Sequence, residues 1–211
     1  MKTFKTMLKT ELKLSLRGMD MFIFAICMPV IVIILLGIIY GDKPAFADAE
    51  YTFLQQSFGA VSTIAICAGG LMGLPLVVSD YRNRKILKRL KVTPVKPITI
   101  LLVEIAIYCI YSLVSLALIY LVAFLFFDFQ IMGNFLQFFI SFVLVMLSMF
   151  SIGMMVGGIA PNMKIASTVA SILYFPMLIF SGATLPYEIM PDALQNFANI
   201  LPLTQGIKLL K

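Results

Sequence analysis

The sequence contains no histidine, and its three cysteines, Cys27, Cys67 and Cys109, each sit inside an apolar stretch without a CxxC pair. The first absence removes the usual general base and the commonest metal ligand, and the second argues against a zinc site or a disulfide framework. Nucleotide-binding signatures are missing too. No G-x-x-x-x-G-K-[ST] occurs, and neither does a GxSxG elbow or a cluster of acids suited to metal-dependent phosphoryl transfer. Charge is scarce: only 12% of the 211 residues are Asp, Glu, Lys or Arg, against 61% apolar, with a mean hydropathy of +1.03. Polar surface is too limited to cover a water-soluble domain of that composition. The expectation is an all-α polytopic membrane protein with no catalytic residue, cofactor site or metal site of its own.

A bilayer core of ~30 Å needs about twenty helical residues at ~1.5 Å each. Five runs qualify, at residues 21–40, 58–78, 98–127, 135–158 and 165–185. They are apolar on every face, unlike the alternating strands of a membrane β-barrel. The first run carries thirteen Phe, Ile, Val or Leu in twenty positions, which favours insertion by about 5 kcal/mol. Ala45-Phe46-Ala47 behind it imitates a signal-peptidase site. An apolar run this long exceeds the usual signal-peptide core of about 7 to 15 residues, so the segment is kept as a span.

Sixteen Lys and Arg oppose ten Asp and Glu, a formal net charge of +6, and thirteen of those cations fall at the N-terminus, between spans two and three, or before span five. The positive-inside rule therefore places the N-terminus in the cytosol. Along residues 1–20, Phe4, Leu8, Leu12 and Leu16 recur every four positions with Lys5, Lys9, Lys13 and Arg17 on the flank. That pattern predicts a helix lying in the headgroup layer, although a leader that only orients the first span has the same composition. In the cytosolic loop, residues 79–97, Arg82, Arg84, Lys85, Lys88, Arg89, Lys91 and Lys96 face only Asp80. The spacing of Ile86, Leu87 and Leu90 predicts a short helix with a small apolar face ringed by cations, ended near Thr93-Pro94. A face of that kind suits docking onto a partner protein; it suits contact with anionic lipid equally.

Within the spans, Gly69 and Gly73 of the second and Gly153 and Gly157 of the fourth place small residues four apart. This spacing permits close helix approach, and glycine is also simply common in membrane helices. Glu104 is the only carboxylate inside any span. It sits near the cytosolic boundary, where it is expected to reach water or pair with a neighbouring Arg, and alone it gives weak support to ion-coupled transport. Pro176 is expected to kink span five. Beyond it, Pro186, Pro191 and Pro202 punctuate residues 186–211, which put Leu194, Phe197, Ala198 and Leu201 on one helical face and are expected to cap the outer mouth of the bundle.

Two segments carry a resemblance. Asp80-Tyr-Arg-Asn-Arg-Lys-Ile-Leu-Lys-Arg-Leu-Lys-Val-Thr-Pro-Val95 follows span two, and Phe180-Ser-Gly-Ala-Thr-Leu-Pro186, with Met190-Pro191 and Leu201-Pro202, follows span five. With the span layout, over nearly the whole chain, they resemble the ABC type-2 permease family. The resemblance implies a multi-pass permease of a bacterial cell membrane that dimerises with a second copy or a paralogue. It also implies a separate ATPase subunit that binds ATP and Mg, with drugs, antibiotics, peptides, polysaccharides or lipids as exported cargo and no nucleic-acid partner. By the same resemblance, the first helix becomes a connecting helix. Asp80, Arg82, Arg84, Lys85, Ile86, Leu87, Lys88, Arg89 and Leu90 become a coupling helix on the ATPase, and Gly182, Pro186, Pro191 and Pro202 belong to an outer re-entrant gate. Family members have six spans, whereas no sixth apolar run precedes Lys211, so the sixth helix is expected to be missing from this chain. The competing expectation is a non-transporting scaffold or immunity-type protein whose basic loop binds anionic lipid.

Overall fold

The structure is a computed structural model, and it describes residues 2–40, 43, 52–90, 95–127, 129, 134–181 and 191–210. All the regular structure among them is helical. Five helices are long and apolar enough to cross a membrane: Ile23–Tyr40, Phe53–Asn83, Pro97–Phe127, Phe135–Ile159 and Met163–Phe180.

The second span is longer at both ends than its apolar run. Thr52 starts it with a capping box, its hydroxyl accepting from the Gln55 backbone N–H at 3.2 Å while the Gln55 side chain accepts from the Thr52 N–H at 2.8 Å. Reciprocal capping of this kind satisfies two donors that a helix start leaves unpaired. At the other end the helix continues through Asp80 and Tyr81 to Asn83, because a helix that has left the hydrocarbon can carry charge without breaking. This span is also the core of the bundle: 83% of its apolar window is buried, against 17% to 39% for the other four. Spans one, three, four and five pack around it and turn Ile38, Phe126, Ile140, Ile159 and Ile172 outward.

Glycines decide how close the neighbours come. A Cβ placed on Gly153 would collide with the Gly70 carbonyl oxygen, and one on Gly157 would lie 2.8 Å from Val78 Cβ and 3.0 Å from Pro75 Cα. Spans two and four therefore meet backbone to backbone. Gly69 and Gly73 serve a different neighbour. Both face the Tyr108 ring of span three, so they seat an aromatic side chain while Gly70 makes the close crossing. The Ala68–Gly73 stretch is a π-helical turn, an irregularity that rotates the small residues relative to a straight helix.

The N-terminal helix, Lys2–Gly18, lies along span three. Phe4, Met7, Leu8 and Leu12 pack against the core, and Lys5, Lys9, Lys13 and Arg17 are exposed. At the opposite end, Phe58 stacks on Phe129 at 4.5 Å and meets Phe138 at 5.7 Å, closing the outer ends of spans two and four. Two short helices follow span five, Asp192–Ile200 and Pro202–Leu210. Leu194 and Phe197 of the first stay exposed, whereas Leu203, Gly206, Ile207 and Leu210 of the second are buried. Gly206 abuts Val145 of span four and Leu210 abuts Gly59 of span two, so the second helix, more than the first, packs into the bundle.

Candidate functional site

The inner end of the bundle gathers the charged side chains. After the second span ends at Asn83, Arg84 and Lys85 turn the chain, and a short helix, Ile86–Leu90, follows. Lys85 adopts φ 58°, the left-handed region, which is what breaks the helix between Asn83 and Ile86. Asp80 and Arg84, one turn apart, form an ion pair at 2.8 Å.

The turn aims the short helix with its apolar side inward. Ile86, Leu87 and Leu90 are half-buried against the ends of spans two and three, while Lys85, Lys88 and Arg89 are exposed. The exposed face is thus cationic, and the apolar residues anchor it to the bundle. Lys91 to Pro94 lie outside the described residues, as do Gly182 and Pro186. Pro191 precedes the helix Asp192–Ile200 and is exposed; Pro202 opens the next helix, where its missing N–H is not needed.

Arg82 has an internal role. Its guanidinium donates to the backbone carbonyls of Gly157, Gly158 and Ala160, at 3.3 Å for the first and third. These groups close the C-terminal end of span four, where carbonyls lack helical donors and the helix dipole favours a cation. The contact ties the inner end of span two to the turn before span five. That turn is itself held by Asn162, whose side chain accepts from the Ile165 N–H at 2.9 Å.

Glu104 is 5% exposed and accepts from the Tyr81 hydroxyl at 2.8 Å. Its partner is a phenol of span two, not the arginine expected from sequence, because Arg82 and Arg84 are engaged elsewhere. Glu11 of the N-terminal helix also faces that hydroxyl, at 3.4 Å, and one turn on Ser15 accepts from Tyr111 at 2.9 Å. The signal for Glu11 was present: it falls among Met7, Leu8, Leu12 and Ser15 on the inner stripe, apart from the lysines. Tyr81, Glu104, Glu11 and Tyr108 line a cleft of about 320 Å³ between the N-terminal helix and spans two and three.

No three acids or cysteines converge to hold a metal ion among the described residues. Chemically the inner end offers a cationic ledge, a salt-linked hinge and an acidic cleft. Among curated proteins and among solved structures, no chain matches this one. The family model described as ABC-2 type transporter matches residues 2–211, so the chain belongs to that family and is a multi-pass membrane permease component of an ABC transporter.

Proposed function

We propose that this permease exports a hydrophobic or amphipathic compound across the cell membrane, driven by ATP hydrolysed on a separate nucleotide-binding subunit, and that it works as a dimer. The observation that carries the reading is the cationic ledge. Lys88 and Arg89 stand exposed on a helix whose apolar side is anchored at the end of the most buried span, and Lys85 stands exposed on the turn before it. A push on that helix is delivered to the element that touches all the other spans. For the push to be useful, the ledge must contact the ATPase with different energy in its open and closed states, since equal contact shifts no equilibrium.

The test is charge reversal at Lys88 and Arg89 together. The double substitution to Glu leaves the packing of Ile86, Leu87 and Leu90 in place and opposes any acidic docking surface. Export and permease-stimulated ATP hydrolysis are expected to fall by about tenfold or more, with membrane insertion unchanged. Retained ATP-driven export, with loss only of adhesion to anionic vesicles, would reject the assignment and favour a lipid-binding scaffold.

A further inference from the structure

The cleft beneath the N-terminal helix has chemistry that the coupling role does not use. At about 320 Å³ it matches the smaller ligand pockets, which start near ~300 Å³. Glu104 and Glu11 converge there on one phenolic hydrogen, that of Tyr81. A single donor thus serves two carboxylates, and no Lys or Arg among the described residues lines the cleft. Arg82 is taken up by the carbonyls of span four, and Arg84 pairs with Asp80, a third carboxylate that lines the cleft and so already has its cation. Lys9 and Lys13 point out from the far side of the N-terminal helix.

An independent feature points into the same space. Tyr108 is 3% exposed, lines the cleft, and its hydroxyl makes no hydrogen bond to any described residue. Gly73 leaves the room for it: a Cβ there would sit 2.9 Å from the Tyr108 oxygen. Glu104 is buried and Glu11 half-buried, and neither has an ion-pair partner among the described residues; a buried carboxylate held in this way is costly unless something positive completes it. A bare metal ion does not fit, since among the described residues no three acids or cysteines are placed to hold one. Besides Asp80 and Ser15, the wall carries an apolar side made of Leu14, Met21, Val77 and Met163.

We propose that this cleft binds an amphipathic ammonium ion. The ammonium donates to Glu104, Glu11 and the Tyr108 oxygen, and the apolar part lies along Leu14, Met21, Val77 and Met163. The inference deepens the export reading by naming a cargo class, and it rests on that reading only for the word cargo, since binding needs no ATPase.

The experiment uses the purified chain in phosphatidylcholine nanodiscs and radiolabelled n-octylammonium, with uptake into empty nanodiscs subtracted. Saturable binding is expected, resistant to an equal concentration of n-octanol or octanoate. Glu104→Gln is expected to weaken it by about tenfold or more, and Glu11→Gln in the same direction by about threefold. If Glu104→Gln does not fold, Glu11→Gln decides the outcome, because Glu11 sits on a peripheral helix. Competition by n-octanol as strong as by n-octylammonium, or full affinity in the folded Gln variants, overturns the proposal. Saturable binding without ATP-dependent movement across vesicles would keep the site and remove the export reading. ATP-driven transport of an uncharged compound with no n-octylammonium binding would do the reverse.

Discussion

Arg82 and Lys85 stand three residues apart in one basic stretch, yet they do opposite things to the fold. Arg82 supplies donors to the bare carbonyl end of span four. Arg82→Gln is expected to lower stability by about 1 kcal/mol, read as an earlier unfolding midpoint in detergent, whereas Lys88→Gln, at an exposed position, leaves the midpoint in place. Lys85 costs stability, since a side chain at positive φ crowds its own carbonyl. Lys85→Gly is expected to raise the midpoint by the equivalent of about 1 kcal/mol, and Lys85→Ala to give no gain, because alanine keeps the offending Cβ. The cationic character of these residues was legible in sequence; their division of labour was not. The carbonyls that Arg82 caps lie 75 to 78 positions away, a pairing that only the folded bundle creates.

Among the helices, the small residues set the geometry. Gly153 meets the Gly70 backbone, so Gly153→Leu is expected to force spans two and four apart at a cost of about 1 to 3 kcal/mol and to cut the yield of monodisperse protein. Gly158, five positions on, has open space where a Cβ would go, and Gly158→Ala is expected to match or exceed the native yield. Equal yields from the two variants would refute the close crossing. Sequence spacing put Gly69, Gly73, Gly153 and Gly157 under one reading, close helix approach, without saying that the first pair meets a ring and the second a backbone. The π-helical turn rotates Gly69 and Gly73 toward Tyr108, and no periodicity announces such a turn. Span limits show the same divide. An apolar-run criterion starts the second span at Phe58 and ends it at Val78, since it stops at the first polar residues. Thr52 and Gln55 begin the helix earlier by capping, a Thr-x-x-Gln signal that was readable, and residues 80–83 prolong it where water replaces lipid.

At the scale of the whole molecule, the second span is the axis. It is enclosed by its neighbours over most of its length, carries the Ile86–Leu90 ledge at one end, and meets the packed helix Pro202–Leu210 at the other through Gly59. The proposed coupling would use this enclosed rod to carry displacement between its two ends. The scheme requires the ledge and the outer helices to lie on opposite sides of the bilayer. The cation distribution, with three spans between the two, leads to that expectation. Single cysteines at Lys88 and Asp192, both exposed, test this in a background with Cys27, Cys67 and Cys109 replaced by Ala. An impermeant maleimide added to intact cells is expected to label Asp192→Cys and to reach Lys88→Cys only after permeabilisation. Labelling of both from outside would put the ledge beyond reach of any cytosolic ATPase, and the second span would then have no motor to couple to.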